Sequence, residues 1–563
     1  MDNYDFDAIV VGSGMSGGWA AKELTEKGFK TLVLERGRPL EHGTGYVGEH
    51  QPKWQTPVRG LPLRDLYADE YEIQSTSYAF DETTRHFWNN DSNNPYDWDP
   101  AHPWHWVRAD VVGGRSLLWA RQVYRWSDLD FAANKQDGHG CDWPIRYADI
   151  APWYSHVEKF IGVSGQKLGL PQLPDGEFLK PMEMNVLERH VAARIAEEFP
   201  ERVMTIGRVA VLTEKLPHSD RGTCHYCGPC QRGCSVGAYF SSLSSTLPAA
   251  TATGNMTLRA NAVVAGLDYA AGRISGVRVI DTETGAHQTY TSRVVFLCAS
   301  TVGSTQILLN SKSAAFPNGL ANSSGTLGRY LMDHTYAVGA MGIFAGFEKY
   351  YPMGARPNGC YIPRFQNLQG GAEAGFYRGY GFQGGAARMN WQTMARLTPG
   401  FGADFKNSLR TPGPWTMRLG GFGECLPYAD NYMDLHPTKK DRFGIPQVRF
   451  RFTWHDNEIR LREASKADAA RMLQAAGAVS VTEYDQQAPG GAAIHEMGTA
   501  RMGRDPADSV LNAFNQAHDV ANLFVTDGAA MTSSSCVNPS ITYMALTARA
   551  VDYATTQMLE GAI

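Results

Sequence analysis

Residues Asp5–Gly37, DFDAIVVGSGMSGGWAAKELTEKGFKTLVLERG, spell out a strand, a tight turn, a helix, a turn and a second strand. Ala8 to Val11 form a short apolar run. Gly12, Gly14 and Gly17 follow as G-x-G-x-x-G, Ala20, Ala21 and Leu24 give the helix an apolar face, and Gly28 stops it. Thr31 to Leu34 form the next strand, with Glu35 at its end. Each part has a physical task. Gly12 permits the tight turn, Gly14 lets the backbone approach a pyrophosphate, and Gly17 lets the helix pack on the sheet. The helix N-terminus offers unpaired N–H groups and a positive dipole end to phosphates. Glu35 can accept hydrogen bonds from ribose hydroxyls and disfavours a 2′-phosphate. The unit therefore predicts a dinucleotide site on an α/β sheet.

FAD and NAD both use such a unit, and its N-terminal position with a long chain behind it favours FAD without deciding the matter. The chain has 563 residues, 43% hydrophobic and 19% charged, which suits a globular protein of two or more packed domains. The net charge of −5 and the lack of a Lys/Arg run give no nucleic-acid footprint. No apolar run of about eighteen residues predicts a membrane span. The opening MDNYDFDAIVVG has no basic segment followed by a hydrophobic run and cleavage site, so no export signal is expected in this chain.

Four of the nine cysteines fall within CHYCGPCQRGC: Cys224, Cys227, Cys230 and Cys234. Cys141, Cys298, Cys360, Cys425 and Cys536 stand alone and read as ordinary thiols. This is too sparse for a secreted disulfide scaffold. Within the cluster, disulfides would close very small strained loops. Structural zinc prefers separated pairs or histidine partners, and His225 lies too close to Cys224 to be an easy ligand. The C-x2-C-x2-C-x3-C spacing suits an iron–sulfur cluster best, although Ser235 stands where the ferredoxin run has proline. Arg85–Asp110 carries Trp88, Trp98, Trp104 and Trp106 among Asn, Asp and His. That suits sugar contact, or a covering loop whose tryptophans simply pack.

Further along, VVGGRSLLWARQVYRW (Val111–Trp126) is a second glycine-rich turn. Asn255–Asp281 alternates as a hairpin or meander, Arg293–Ser311 reads as buried strand, turn and helix, and Asn522–Ala554 as strand, loop and helix with Pro539 at the helix start. These pieces, with the N-terminal unit, LGRYLMDH (Leu327–His334) and IHEMGTARMG (Ile494–Gly503), resemble the glucose-methanol-choline (GMC) flavoprotein oxidoreductases in family order across nearly the whole chain. The resemblance implies an α/β (α+β) fold: a Rossmann-like FAD-binding domain from 1–130, 255–330 and 488–563, and a substrate domain with an antiparallel sheet from 331–487. Segment 131–254 would contribute to the latter and carry the cysteine loop 221–236.

The resemblance also implies roles. His495 would face the flavin as the base, and Asn538 would hold the substrate hydroxyl, as in the sugar-oxidising branch. Gly113, Gly114 and Ser116, together with Asp527 and Gly528, match cofactor contacts, and Val263 the adenine contact. Some relatives bind flavin covalently through a histidine before the tryptophan of the second turn. Leu118 occupies that place, so FAD is expected to be non-covalent. The cysteine run is similar to that of cluster-bearing bacterial dehydrogenases of glucose and glucosides, which use a C-x5-C-x3-C set. Cys224, Cys230 and Cys234 reproduce it for [3Fe–4S], and Cys227 would complete [4Fe–4S]. The implied activity is oxidation of a secondary sugar hydroxyl, C3 of a glucoside foremost, with glucose, gluconate, fructose or sorbitol as alternatives. The acceptor would be a cytochrome c rather than oxygen, with a small subunit as partner. Co-export with that subunit would place the enzyme in a bacterial periplasm; the alternative is the cytoplasm. An electron-transfer subunit with a vestigial sugar site is the reading from another class, and an intact His495 and Asn538 speak against it.

Overall fold

Ala8, Ile9 and Val10 are wholly buried and Val11 nearly so, and this strand, Phe6–Val11, is paired on both sides. Such a continuously apolar strand belongs at the centre of a parallel sheet. In the computed structural model, which describes residues 4–56, 64–352 and 354–563, that sheet has five strands. Their order is Leu523–Val525, Ser292–Leu297, Phe6–Val11, Thr31–Leu34 and Met256–Arg259, all parallel. Ala8 pairs with Val294 on one side and Thr31 on the other. The helix Met15–Glu26 follows the first strand, and its Ala20, Ala21 and Leu24 share an apolar cluster with Ala550, Val551 and Ala554 of the C-terminal helix Ser540–Leu559. Burying each such side chain of leucine or valine size stabilises the fold by about 1.5–3 kcal/mol.

The stretch expected to be one hairpin or meander divides differently. Met256–Arg259 joins the edge of the parallel sheet, and only Ala262–Ala270 and Arg273–Asp281 form the hairpin, extended by His287–Tyr290. Alternation marks a half-exposed strand in either setting, so periodicity alone does not distinguish the two. Ser292–Leu297 then leads to the helix Ser300–Asn310, and Leu523–Val525 to the C-terminal helix, as the sequence indicated.

A second sheet of six antiparallel strands runs Ser480–Asp485, Thr335–Phe344, Trp415–Gly423, Tyr380–Arg388, Cys360–Ile362 and Thr205–Ile206. The helix Asp456–Ala475 covers one face through Leu461, Ala469, Met472 and Leu473, which cluster with Met417 and Leu419. Among the described residues no helix is long and apolar enough to cross a membrane. The carboxyl ends of the parallel strands open onto a cavity whose far wall includes Tyr336, Gln383 and Phe422 of the antiparallel sheet. Loops beyond those strand ends are where open α/β sheets bind ligands.

Candidate active site

At one end of the cavity, of about 420 Å³, the first glycine-rich turn is set by steric necessity. Gly12 has φ +101°, and a Cβ there would stand 2.4 Å from the Cys298 carbonyl oxygen. A Cβ on Gly17 would lie 1.9 Å from the Gly12 oxygen, so the helix sits directly on the turn. Glu35 is buried and holds this turn: its Oε2 accepts from the Ser13 backbone N–H (3.0 Å) and hydroxyl (2.6 Å), and its Oε1 from Gly37 N–H (2.8 Å). Burial pushes its carboxyl up, against those hydrogen bonds. Ser13 Oγ in turn accepts from Gly113 N–H at 2.9 Å, which ties the two glycine-rich turns together. Ser116 Oγ donates to Gly113 O at 2.6 Å and accepts from Ser242 N–H at 3.0 Å. Val263 lines the same end, beside Asp441 and Ile445 from the turn between strands Tyr432–Lys440 and Pro446–Arg451.

These residues fit a flavin dinucleotide. The nearest protein atom to a Cβ on Gly14 would be Gly113 O at 3.9 Å, so the cradle is open where the backbone must approach phosphate. Asp527 and Gly528 line the cavity, and Asp527 accepts from Ser304 Oγ and from Ala529 N–H (3.0 Å). Burial raises the Asp527 carboxyl to about 6. The Tyr543 hydroxyl also lines the cavity, is buried and has no protein partner, a donor left over for a bound group.

At the other end stand His495 and Asn538. Asn538 Nδ2 lies 3.3 Å from His495 Nε2, and Asn538 Oδ1 accepts from Gln383 Nε2 at 2.6 Å. Gln383 Oε1 accepts from Gln122 Nε2 at 2.7 Å, and Gln122 Oε1 accepts from the Tyr124 hydroxyl. His495 Nδ1 is 2.9 Å from His334 Nδ1. Asp333, fully buried, accepts from the backbone N–H groups of Ala493 and His495, both at 3.1 Å. Burial raises its carboxyl to about 7, with neighbouring Glu496 adding to the effect. Glu496 pairs with Arg115 at 2.8 Å, and both line the cavity. Trp119, Tyr336 and Phe422 supply aromatic faces around the pair.

Burial, then the neighbouring His334 and Arg115, holds the His495 imidazole well below its ordinary range. A base with a lowered pKa stays unprotonated as pH falls through the ordinary imidazole value of about 6.5. The His495 limb of the kcat/KM profile for an uncharged substrate should therefore lie below pH 6.5, apart from any limb set by the Asp333 carboxyl near 7. Titration of the His495 imidazole at or above about 6.5, read by histidine NMR, would contradict this placement.

The four clustered cysteines line one small separate pocket with Glu49, Tyr239 and Ala355. Cys227 is exposed, and Cys224, Cys230 and Cys234 are half-buried. Among the described residues no three His, Cys, Asp or Glu side chains converge as ligands of a single metal ion. A tetrahedral zinc site needs its ligands within about 2.0–2.3 Å of one point. The four thiols share the lining of that one pocket. A chain of contacts links Trp119 of the cavity to Tyr239 of this pocket. Trp119 Nε1 and Arg121 Nε both donate to Phe240 O, at 3.2 and 2.7 Å, and Arg121 lies 3.7 Å over the Tyr239 ring.

The structure thus brings Gly12, Gly14, Glu35, Gly114, Ser116, Val263, Asp527, Gly528, His495 and Asn538 to one cavity, with Gly17 and Gly113 directly behind it. The tryptophan-rich segment divides between packing and the cavity wall. Trp104 is wholly buried and stacked on Phe450, Trp98 sits in an edge strand, and Trp88 and Trp106 are buried in the cavity wall. His334, Gln122, Gln383, Tyr336 and Phe422 are the site residues that sequence reasoning did not single out. His334 and Gln122 lie inside or beside recognised motifs; Gln383, Tyr336 and Phe422 carry no local signal.

Comparison with known proteins identifies the family. The GMC oxidoreductase family matches residues 6–336 with its N-terminal part and 427–547 with its C-terminal part. The 2-methyl-1,2-propanediol dehydrogenase of Mycolicibacterium austroafricanum is 30% identical, over 97% of this chain and 94% of its own. The fructose dehydrogenase large subunit of Gluconobacter japonicus is 25% identical, over 99% and 98%. The crystal structure of pyridoxine 4-oxidase from Mesorbium loti shares the fold, with a TM-score of 0.60 at 16% identity, over 98% of this chain and 99% of that one. Two glycine-rich turns closing on one cavity, with a histidine and an asparagine at its far end, are accounted for together by one conclusion: the chain belongs to the GMC oxidoreductase family, and with it to the enzymes that use FAD to oxidise CH–OH groups.

Proposed function

We propose that the protein is an FAD-dependent sugar dehydrogenase that oxidises a secondary hydroxyl, C3 of a glucoside foremost. The carrying observation is the catalytic end of the cavity. It joins His495 and Asn538 to the amides of Gln122 and Gln383 and to the faces of Trp119, Tyr336 and Phe422. Aromatic faces with fixed, uncharged donors and acceptors suit a polyhydroxylated ring. Bound FAD supplies a two-electron acceptor for the C–H hydride. His495 Nε2 takes the hydroxyl proton, and the Asn538 amide aligns the hydroxyl oxygen, a division that raises rate by positioning as well as by proton transfer. Leu118, in place of a histidine, has no nucleophile for a covalent flavin bond. The similarity to a 2-methyl-1,2-propanediol dehydrogenase favours a second reading, a small diol as substrate.

Cys224, Cys227, Cys230 and Cys234 are proposed to hold an iron–sulfur cluster as the electron exit. Their spacing, their common pocket and the contacts that link it to the cavity through Trp119, Phe240, Arg121 and Tyr239 support this. Such a group passes electrons singly, which suits a cytochrome c acceptor and makes the enzyme a dehydrogenase rather than an oxidase. A relative that is a large subunit supports a small partner subunit, and export with that subunit would place the complex in the periplasm. The holoenzyme should contain iron and acid-labile sulfide, and turn over with ferricenium or cytochrome c far faster than with air. Three irons would leave Cys227 a bystander, and four would make it a ligand. Iron-free protein, or fast peroxide formation without added acceptor, would overturn the electron route.

A further inference from the structure

We propose that His334 is a positioning residue that fixes the tautomer of His495, so that the lone pair of His495 Nε2 faces the substrate side of the cavity. The inference rests on the reading of His495 as the base and goes beyond it. His334 is 1% exposed and lies in the segment that leads into the strand Thr335–Phe344. Its Nε2 is 3.1 Å from the Ser534 carbonyl oxygen. A carbonyl only accepts, so His334 Nε2 carries a proton. Burial lowers the His334 imidazole to about 4, so the ring is neutral at working pH and its Nδ1 is an acceptor. The atom facing that acceptor at 2.9 Å is His495 Nδ1, which must therefore be the protonated nitrogen of His495. His495 Nε2 is left unprotonated.

The hydrogen bonds on the other side of His495 run in the direction that this assignment requires. The Tyr124 hydroxyl donates to Gln122 Oε1, Gln122 Nε2 to Gln383 Oε1, and Gln383 Nε2 to Asn538 Oδ1. Asn538 therefore turns its Nδ2–H toward His495 Nε2, at 3.3 Å. A proton on that nitrogen would set donor against donor; a lone pair accepts. Seven groups from Tyr124 to Ser534 thus form one polarised chain, and only one tautomer of His495 satisfies all of it. The imidazole is held as a base before substrate arrives, and the imidazolium formed by proton uptake keeps its Nδ1–H bond to His334. The second ring nitrogen of a catalytic histidine is commonly fixed by such a partner, and its loss leaves the ring free to present the wrong nitrogen.

The test uses ¹⁵N-histidine-labelled holoenzyme, with the His495 signals identified by their loss in His495→Ala. The expected spectrum has His495 Nδ1 protonated and Nε2 unprotonated; the reverse assignment overturns the proposal whatever the variants do. His334→Leu removes the acceptor and should lower kcat by about 10²–10⁴-fold with little change in KM. His334→Asn restores an acceptor opposite His495 Nδ1 and should recover most of that loss. A His334→Leu enzyme with unchanged kcat and pH profile, beside an inactive His495→Ala enzyme, would sink the proposal while leaving the base in place. Full activity in His495→Ala would instead sink the base assignment, and the spectrum would still decide the tautomer.

Discussion

His495→Ala is expected to lower the rate of flavin bleaching by substrate about 10²–10⁴-fold, the usual contribution of a positioned general base. FAD content should be unchanged, because the dinucleotide end is built by Gly12, Gly14, Glu35 and the second glycine-rich turn, away from the imidazole. Substrate affinity should move little, since Gln122, Gln383 and the aromatic walls remain. Asn538→Ala should cost less, because it removes an aligning group and leaves the base. The measurement is anaerobic stopped-flow bleaching of the purified holoenzyme. Bleaching at the wild-type rate in His495→Ala would place the base elsewhere.

Gly17→Ala should abolish FAD binding, and by a different route from Gly14→Ala. The new Cβ on residue 17 would stand 1.9 Å from Gly12 O and 2.7 Å from Gly12 C, both backbone atoms. Gly12 has no room to retreat, since its own Cβ direction meets the Cys298 carbonyl at 2.4 Å. The helix Met15–Glu26 must therefore shift, carrying its N–H groups away from the phosphate position. Overpacking of this kind costs about 1–3 kcal/mol in the fold alone. A Cβ on residue 14 meets no protein atom closer than 3.9 Å, so Gly14→Ala should leave the apoprotein as stable as wild type and weaken FAD binding by filling the cradle. Urea unfolding of the two apoproteins and FAD titration separate the effects. Tight FAD binding by Gly17→Ala would contradict the placement of the helix.

The sequence made most of the dinucleotide half legible because its constraints are local. A strand of four buried residues, a turn that needs a positive φ and a helix with a small-residue face lie within about 30 consecutive residues, the length of one βαβ unit. That His495 and Asn538 meet was expected only through resemblance, as nothing near residues 495 or 538 fixes it. The contacts of that pair were not legible, although His334 and Gln122 fall within recognised motifs. Gln383 comes from the strand Tyr380–Arg388 and His334 from the lead into Thr335–Phe344, and sheet pairing with Trp415–Gly423 brings both strands to the cavity. Register of that kind is set by long-range pairing and carries no signature in the residues themselves. The tryptophans of 85–110 show the converse: composition announced aromatic rings beside polar groups, while packing against Phe450 and Phe452 decided that Trp104 belongs to the core.

The most direct test of the central claim is to mix the oxidised holoenzyme anaerobically with methyl glucoside, glucose, maltose, gluconate and a 1,2-diol in turn, and to follow flavin absorbance with product NMR. The account predicts rapid bleaching by glucosides and a product carrying a ketone at C3. Bleaching by 1,2-diols alone, with none of the sugars active, would contradict it.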